Sequence, residues 1–399
     1  MKILHVNYYD TQGGAAKAAC RLHQALLDAK HESIMLVAEK KSNDDYVVEA
    51  FSPGKLRCLH IKQRLEVALT SLCRKQHRFP HSLNIFKSGL ADKINSVNPD
   101  IVNLHWINGC MMSIKEIGQI KAPIVWTLHD GWAYCGAEHH HQHKDERFKT
   151  GYDQSSVFDL NRHVWKQKMK YWNKLDIDIV TPSSWLGDEA KESCVMANKS
   201  VHVIPNGVDL NIFKADNIKA VQKDKKTIAF GAFDINDWNK GGKELSEALS
   251  LLQDKYKDKL ELLLIGNGHF ESKFKSKNTG FVDSDEDIAK IYPKADVFVL
   301  ASKYDNLPNM LIEAAACNVP VVAFDTGGIA DIVEHKKNGY LAKAFDCEDF
   351  ANGISWVLEN PKYEKNCKTA RKTVEDKFDV KKVAEQYLKL YKKVLETNE

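Results

Sequence analysis

The chain has 399 residues, 43% hydrophobic and 28% charged, which is the make-up of a soluble globular protein long enough for two domains with full cores, and not of a disordered one. Its formal charge of +3, from 57 basic and 54 acidic side chains, is too small to imply nucleic acid, so no such partner is expected. The nine cysteines are odd in number and scattered without a CxxC pair, which reads as reduced thiols and leaves no zinc motif.

The opening MKILHVNYYD carries one lysine and a short apolar run broken by polar residues, too brief for a signal peptide, and predicts a strand over Lys2 to Tyr8. No stretch of about 18 apolar residues exists to span a bilayer, so a cytoplasmic location is expected, with attachment to the inner face of the cell membrane left open. Thr11 to Gly14 reads as a glycine turn. Ala15 to Ala29 reads as a helix with Ala16, Ala19, Cys20, Leu22, Leu26 and Leu27 near one stripe. Gly13-Gly14 would let backbone N–H groups approach a phosphate without Cβ interference, but the spacing is not GxGxxG, which disfavours a dinucleotide dehydrogenase.

Residues 54 to 81 are basic and helical in period. Cys58, Ile61, Leu65, Ala68, Leu69 and Leu72 form an apolar stripe among Lys55, Arg57, Lys62, Arg64, Arg74, Lys75 and Arg78, with Glu66 the one acid. The ordinary reading is an amphipathic helix with a solvated basic face; the alternative is contact with an anionic membrane or a lipid-diphosphate acceptor. Asp100 to Leu104 and Pro123 to Leu128 read as strands, each followed by a histidine, in Leu104-His105-Trp106 and Leu128-His129-Asp130. Both histidines belong at the carboxyl edge of a sheet, where Asp130 either orients the His129 ring or caps the next turn. His139, His140, His141 and His143 lack a cysteine or carboxylate at an established ligand spacing, so an acceptor-side loop is expected there and no metal site.

Ile177 to Val180 is a strand leading through Thr181 to Trp185 into a capped helix, and Pro205-Asn206-Gly207 is a turn opening an interdomain linker. Thr227 to Phe230 begins the second half, and Gly231 to Gly242 reads as a polar glycine loop whose Lys240 can place a point charge on a diphosphate. Leu262 to Gly266 and Gly280 to Val282 mark the next two strand ends. Val297 to Leu300 is a buried parallel strand, followed by a polar loop, a helix from Pro308 through Cys317 with Asp305 and Asn306 as cap candidates, a strand over Pro320 to Phe324, the Gly327-Gly328 turn and a helix over Ile329 to Val333. Such a unit places its loop beside a helix N-terminus suited to phosphate. Asp305 and Glu313 frame the place with two carboxylates that can accept hydrogen bonds from sugar hydroxyls, although either alone could be a cap or a solvated acid. Val380 to Leu395 is a final helix.

This second half resembles the donor-binding segment of glycosyltransferase family 4, which has the GT-B fold. The pattern there is an acidic residue, seven residues and Glu, then an Ala-rich helix, a Pro-Val-Val-Ala strand and a Gly-Gly turn; here these are Asp305, Glu313, Ala314-Ala315-Ala316-Cys317, Pro320 to Ala323 and Gly327-Gly328. Asp replaces the more usual Glu at the first acidic position. The resemblance implies an α/β protein of two Rossmann-like domains facing a cleft: residues 1–205 with the final helix 381–399 on the acceptor side, and 206–380 binding the donor. It implies that Glu313 holds ribose hydroxyls, Asp305 the donor sugar and His129 the sugar from the first domain, with Gly13, Gly14 and Lys240 at the phosphates. Gly231, Leu307, Asn309 and Met310 line the donor, and backbone around Phe281 and Val282 holds the base. His105, Trp106 and Asp130 fall on the acceptor side. Ala232 stands where the family usually has Arg, so Lys243 or a helix N-terminus must share that role.

The expected function is transfer of a sugar, with retention, from a UDP- or GDP-sugar to a hydroxyl of a glycan or lipid-linked glycan, in polysaccharide or lipopolysaccharide assembly, without a cofactor or bound metal. A sugar-nucleotide epimerase or hydrolase, and a non-enzymatic glycan or lipid-surface binding module, are the alternatives.

Overall fold

The computed structural model describes residues 1–71, 79–141, 145–156, 158–214 and 225–398; Leu72, Arg74, Lys75, Arg78 and His143 lie outside them. Among the described residues the strands form two fully parallel sheets. The first runs in the order β3-β2-β1-β4-β5-β6-β7, from β1 (Lys2–Tyr9), β2 (Glu32–Glu39), β3 (Val47–Glu49), β4 (Ile101–Leu104), β5 (Ile124–Thr127), β6 (Ile177–Thr181) and β7 (Ser200–Val203). The second runs β10-β9-β8-β11-β12-β13, from β8 (Lys226–Asp234), β9 (Leu260–Asn267), β10 (Lys275–Asn278), β11 (Val297–Leu300), β12 (Val321–Phe324) and β13 (Gly339–Ala342). The chain divides into two compact units, Met1–Ile204 with Ala384–Glu399, and Pro205–Val383.

Each sheet is covered by helices on both faces, so its central strands are buried and mostly apolar, with His5 and Asn7 in β1 and Asn103 in β4 as buried polar exceptions. Ile101, Val102 and Leu104 are fully buried in β4, as are Val297, Phe298 and Val299 in β11. The second unit accordingly has one apolar cluster on each side of its sheet, around Phe298 with Leu311 and around Val299 with Phe350. In each unit the chain adds strands on one side of the first strand and then crosses to the other. The reversals fall between β1 and β4 and between β8 and β11, the places where an open parallel sheet leaves a crevice at its carboxyl edge.

Several sequence expectations change. The helix Pro53–Ser71 has its anticipated apolar stripe on the outside: Ile61 is 58% exposed and Leu65 53%, while Leu59, Glu66 and Thr70 are the buried positions. The reason is hydrogen bonding, because Glu66 accepts from the backbone N–H groups of Leu83 and Asn84 and from Cys110 Sγ, which turns the polar side of the helix inward. Strand β8 continues through Asp234, so Gly231 pairs with Ile265 inside the sheet instead of opening a loop. The segment after Gly327-Gly328 is a three-residue 3-10 turn, Ile329–Asp331, not a helix. Strand β2, with Ser33 and a glutamate at each end, had no sequence reading. Among the described residues, no helix is long and apolar enough to cross a membrane.

Candidate active site

The second unit gathers its polar side chains at the carboxyl ends of β8, β11 and β12. The loop after β8 folds into a 3-10 turn, Trp238–Lys240, whose first N–H groups are capped by Asp237. Asn239 then binds this loop to the one after β11: its amide donates to Tyr304 O (2.8 Å), its side-chain oxygen accepts from Tyr304 N (3.1 Å), and its carbonyl accepts from Lys303 N. The result is that Lys240 Nζ lies 3.0 Å from Asp305 Oδ2. The Asp305 carboxylate beside it raises the Lys240 pKa against the opposing effect of burial, so the ammonium stays charged. Asp305 therefore engages Lys240, and Pro308 stands at the N-cap of the helix Asn309–Ala316, a change from the cap role open to Asp305 in the sequence.

Two glycines make this approach possible. Gly241 has φ +69°, and a Cβ there would fall 1.8 Å from Ala301 O; Gly327 has φ +57°, and a Cβ there would fall 2.0 Å from Asp305 O. Gly328 N donates to that same Asp305 carbonyl. Gly327→Ala is expected to lower stability by about 2 kcal/mol, since strain in left-handed backbone adds to a clash with fixed main chain. Urea unfolding of the variant checks this, and a midpoint equal to wild type would show that the turn is not held in this form.

Glu313 is not a solvated acid. It is 2% exposed and its Oε2 accepts from Tyr292 OH at 2.7 Å, with Tyr292 itself fully buried between Phe213 and Phe298. Tyr292 lies 21 residues upstream of Glu313 and no pattern in the sequence singles it out. Asn206 of the Pro-Asn-Gly turn is a second residue whose part shows only in the fold. Its side-chain amide donates to Leu307 O (3.3 Å) and Asn309 Oδ1 (3.1 Å), holding the helix start beside Asp305. Met310 packs over Gly231, where a Cβ would lie 2.2 Å from its Cε, so Gly231 shapes the site from beneath. Ala232 is buried in the strand, and Lys243 is exposed in the first turn of the helix Gly242–Leu251. Phe281 (42% exposed) meets Phe233 (50%) edge to face at 5.2 Å, an aromatic ledge at the end of β8 and past the end of β10, and Val282 packs partly buried against the core.

In the first unit, Gly13 caps the helix Gly14–Asp28 with φ +94°, and both Gly13 and Gly14 are exposed after β1. A row of histidines runs from within β1 to the ends of β4 and β5. His5 Nδ1 lies 3.1 Å from His105 Nε2, and His105 Nδ1 lies 3.2 Å from His129 Nε2. Their protons are ordered by Asn103. Its side-chain oxygen accepts from Thr127 Oγ1, so its amide nitrogen is the atom that donates to His105 Nε2 at 3.0 Å. His105 must then donate from Nδ1 to His129, which leaves the His129 proton on Nδ1. Burial holds His129 at about 4, with Asp130 opposing, and burial with its two histidine neighbours holds His105 well below the usual range; both rings are neutral.

Asp130 takes the turn-capping role of the two that the sequence left open, and its second oxygen goes to Trp106 and His139 instead of orienting His129. Oδ1 accepts from Trp132 N, the turn-capping role, and Oδ2 takes Trp106 Nε1 (3.0 Å) and His139 Nδ1 (2.6 Å), whose Nε2 meets Ser82 Oγ. Burial raises the Asp130 carboxyl, but His139 more than offsets it and the group stays ionised. The histidine stretch diverges: His139 goes to Asp130, His141 to Glu189 (2.8 Å) and His140 packs on Phe79. Lys168, also unforeseen, is buried beneath this loop, donating to the carbonyls of Trp132, Cys135 and Gly136, and burial lowers its pKa to about 7.

Two loops joined at a strand reversal by Asn239 and by the Lys240–Asp305 pair, in a chain of two Rossmann-like sheets, agree with comparison to known proteins. The model of glycosyltransferase family 4 matches residues 12–212, and that of glycosyl transferases group 1 matches residues 213–374. The chain belongs to glycosyltransferase family 4. It is 26% identical to a probable sucrose-phosphate synthase of Thermosipho melanesiensis over 323 residues, 74% of this chain and 70% of the relative. It is 30% identical to the N,N'-diacetylbacillosaminyl-diphospho-undecaprenol alpha-1,3-N-acetylgalactosaminyltransferase of Campylobacter jejuni over 167 residues, 40% of this chain and less than half, 43%, of that enzyme. The crystal structure of Anabaena HepE in complex with UDP and glucose superposes with a TM-score of 0.64 at 17% identity, covering 98% of this chain and 99% of that one. The family 4 chain is thus a glycosyltransferase with the GT-B fold.

Proposed function

We propose that this family 4 chain moves a sugar from a nucleoside-diphosphate sugar, UDP- or GDP-linked, to a hydroxyl of a glycan or lipid-linked glycan, with retention at the anomeric carbon. The observation that carries the reading is the Lys240–Asp305 pair at 3.0 Å on the strand reversal of the second unit, with buried Glu313 on the adjoining helix. Lys240 meets the diphosphate, Asp305 accepts from sugar hydroxyls, Glu313 accepts from the ribose, and the Phe233–Phe281 ledge takes the base. Support for the ligand class comes from HepE, whose structures hold UDP and UDP-glucose, and for the acceptor class from the diphospho-undecaprenol substrate named for the Campylobacter relative.

In the transfer, the bond from the anomeric carbon to the diphosphate oxygen breaks as the bond to the acceptor oxygen forms on the same face. The acceptor's proton passes to the leaving phosphate, and the electron pair of the broken bond stays on the diphosphate. Lys240 and the helix N-termini neutralise that charge, so the reading calls on no metal. The eight cysteines among the described residues are all free thiols, in keeping with a cytoplasmic enzyme.

Thermal unfolding with UDP, GDP and their sugars tests the donor half. A ligand at about 100 times its dissociation constant adds about 2.7 kcal/mol of stability. One nucleoside diphosphate is expected to raise the transition, and Glu313→Gln, which keeps the Tyr292 contact, to weaken the effect. No stabilisation by either at millimolar concentration would sink the reading.

A further inference from the structure

The helix Pro53–Ser71 turns an apolar stripe away from its unit. Its inner side is mixed, with Leu59 in the core, Glu66 bound to the backbone of Leu83 and Asn84, and Gln63 donating to Tyr8 OH and Gly109 O. Its outer side carries Cys58, Ile61, Leu65, Ala68 and Leu69, all exposed. At 100° per residue these positions span one contiguous stripe, with Arg57 and Arg64 along one margin and Lys55 beyond the other; all three are exposed. The helix's one acid is the buried Glu66, so the outer face is apolar along its middle, cationic at its margins and free of negative charge.

We propose that this outer face is a docking surface for an anionic lipid bilayer, lying in the interface plane with Ile61, Leu65 and Leu69 among the acyl chains and the arginines at the headgroups. Two features select this occupant. An exposed aliphatic stripe gains by leaving water, and a purely cationic rim complements anionic headgroups but would repel a second copy of itself. Its inner side reaches Tyr8 and Gly109, next to the carboxyl edge of the first sheet, so a bilayer on the outer face brings lipid-anchored hydroxyls to the same end of the unit as His105 and His129. Docking does not depend on the donor chemistry.

Flotation of the full chain with vesicles of phosphatidylcholine containing about one quarter phosphatidylglycerol tests it. Binding about a hundredfold tighter than to pure phosphatidylcholine is expected from three basic side chains, and it should fade as salt is raised. Ile61→Ser/Leu65→Ser should weaken binding about a hundredfold, and Arg57→Glu/Arg64→Glu should abolish the preference for anionic vesicles. All of these side chains point outward, so both variants should melt like wild type and keep its response to nucleotide, whatever that response is. Wild type that does not float with anionic vesicles overturns the proposal, as does binding that survives Ile61→Ser/Leu65→Ser. Self-association without lipid that the same pair abolishes would assign the face to a second copy instead.

Discussion

Lys240→Ala is expected to turn over a nucleotide sugar about a hundred- to a thousandfold more slowly than wild type while folding normally. The size follows from removing one preorganised charge from a departing diphosphate, which is worth about 3 kcal/mol of barrier. Lys240 suits that task because its loop is fixed from two sides, by Asn239 to Tyr304 and by the tight Gly241, and because Asp305 keeps the ammonium protonated. Ala232 makes the dependence steeper, since no arginine stands there to share the load. The structural cost of the substitution is small, about 1 kcal/mol or less for a partly exposed ion pair. The measurement is nucleoside-diphosphate release from whichever donor stabilises the wild type, with urea midpoints as the folding control. Turnover within about threefold of wild type would show that Lys240 lies off the reaction path.

The first unit is expected to lose about 4 kcal/mol of stability between pH 7 and pH 5 as His23 and His129 resist protonation. His23 and His129 are held at about 4, burial being the main cause in each and Asp44 and Asp130 opposing it. An unfolded histidine binds its proton near 6.5, so between about 4 and 6.5 the unfolded chain carries more protons than the folded one. The stability is therefore full above about 6.5 and drains away as pH falls toward 4, about 2 kcal/mol per ring at pH 5. His5 and His105, also held below the usual range, act in the same direction. Six of the eight tryptophans belong to this unit, so fluorescence-detected urea unfolding reports mainly on it. An unchanged midpoint at the two pH values would refute the neutral histidine row, and His129→Gln should reduce the shift by its own share.

What the sequence reveals and conceals here follows from the range of the forces involved. The strands of the second half are legible because continuous apolar runs such as Val297 to Leu300, bounded by Asp, Gly or Pro, suit only a sheet covered on both faces. Asp305 and Lys240 stand out in the sequence as candidates because they lie in polar loops after apolar runs, and Glu313 because it follows Asp305 into the next helix. The side to which a helix turns is not legible from its period alone. The spacing over Cys58 to Leu69 shows a stripe, but Glu66 reaching the backbone 17 residues away decides that the stripe faces out. Gly231 read as a loop because glycine is scarce in strands, whereas its lost side chain makes room for Met310. Tyr292, Asn206 and Asn103 hold site residues through contacts that only the fold creates, and Lys168 ties down the loop from Trp132 to Gly136 in the same way.

The division of the chain bears on how the protein is made. Residues 205–383 form one unit without interruption, but the first unit needs both 1–204 and 384–399. On the ribosome, the second unit can close while the first still lacks a piece. That piece includes Tyr387, whose hydroxyl meets Thr127 Oγ1, the group that sets the Asn103 amide and through it the protons of His105 and His129. A nascent chain stalled before residue 384 therefore carries a finished second unit and a first unit whose histidine row has not yet been set, and a single cut in the linker cannot release two whole halves.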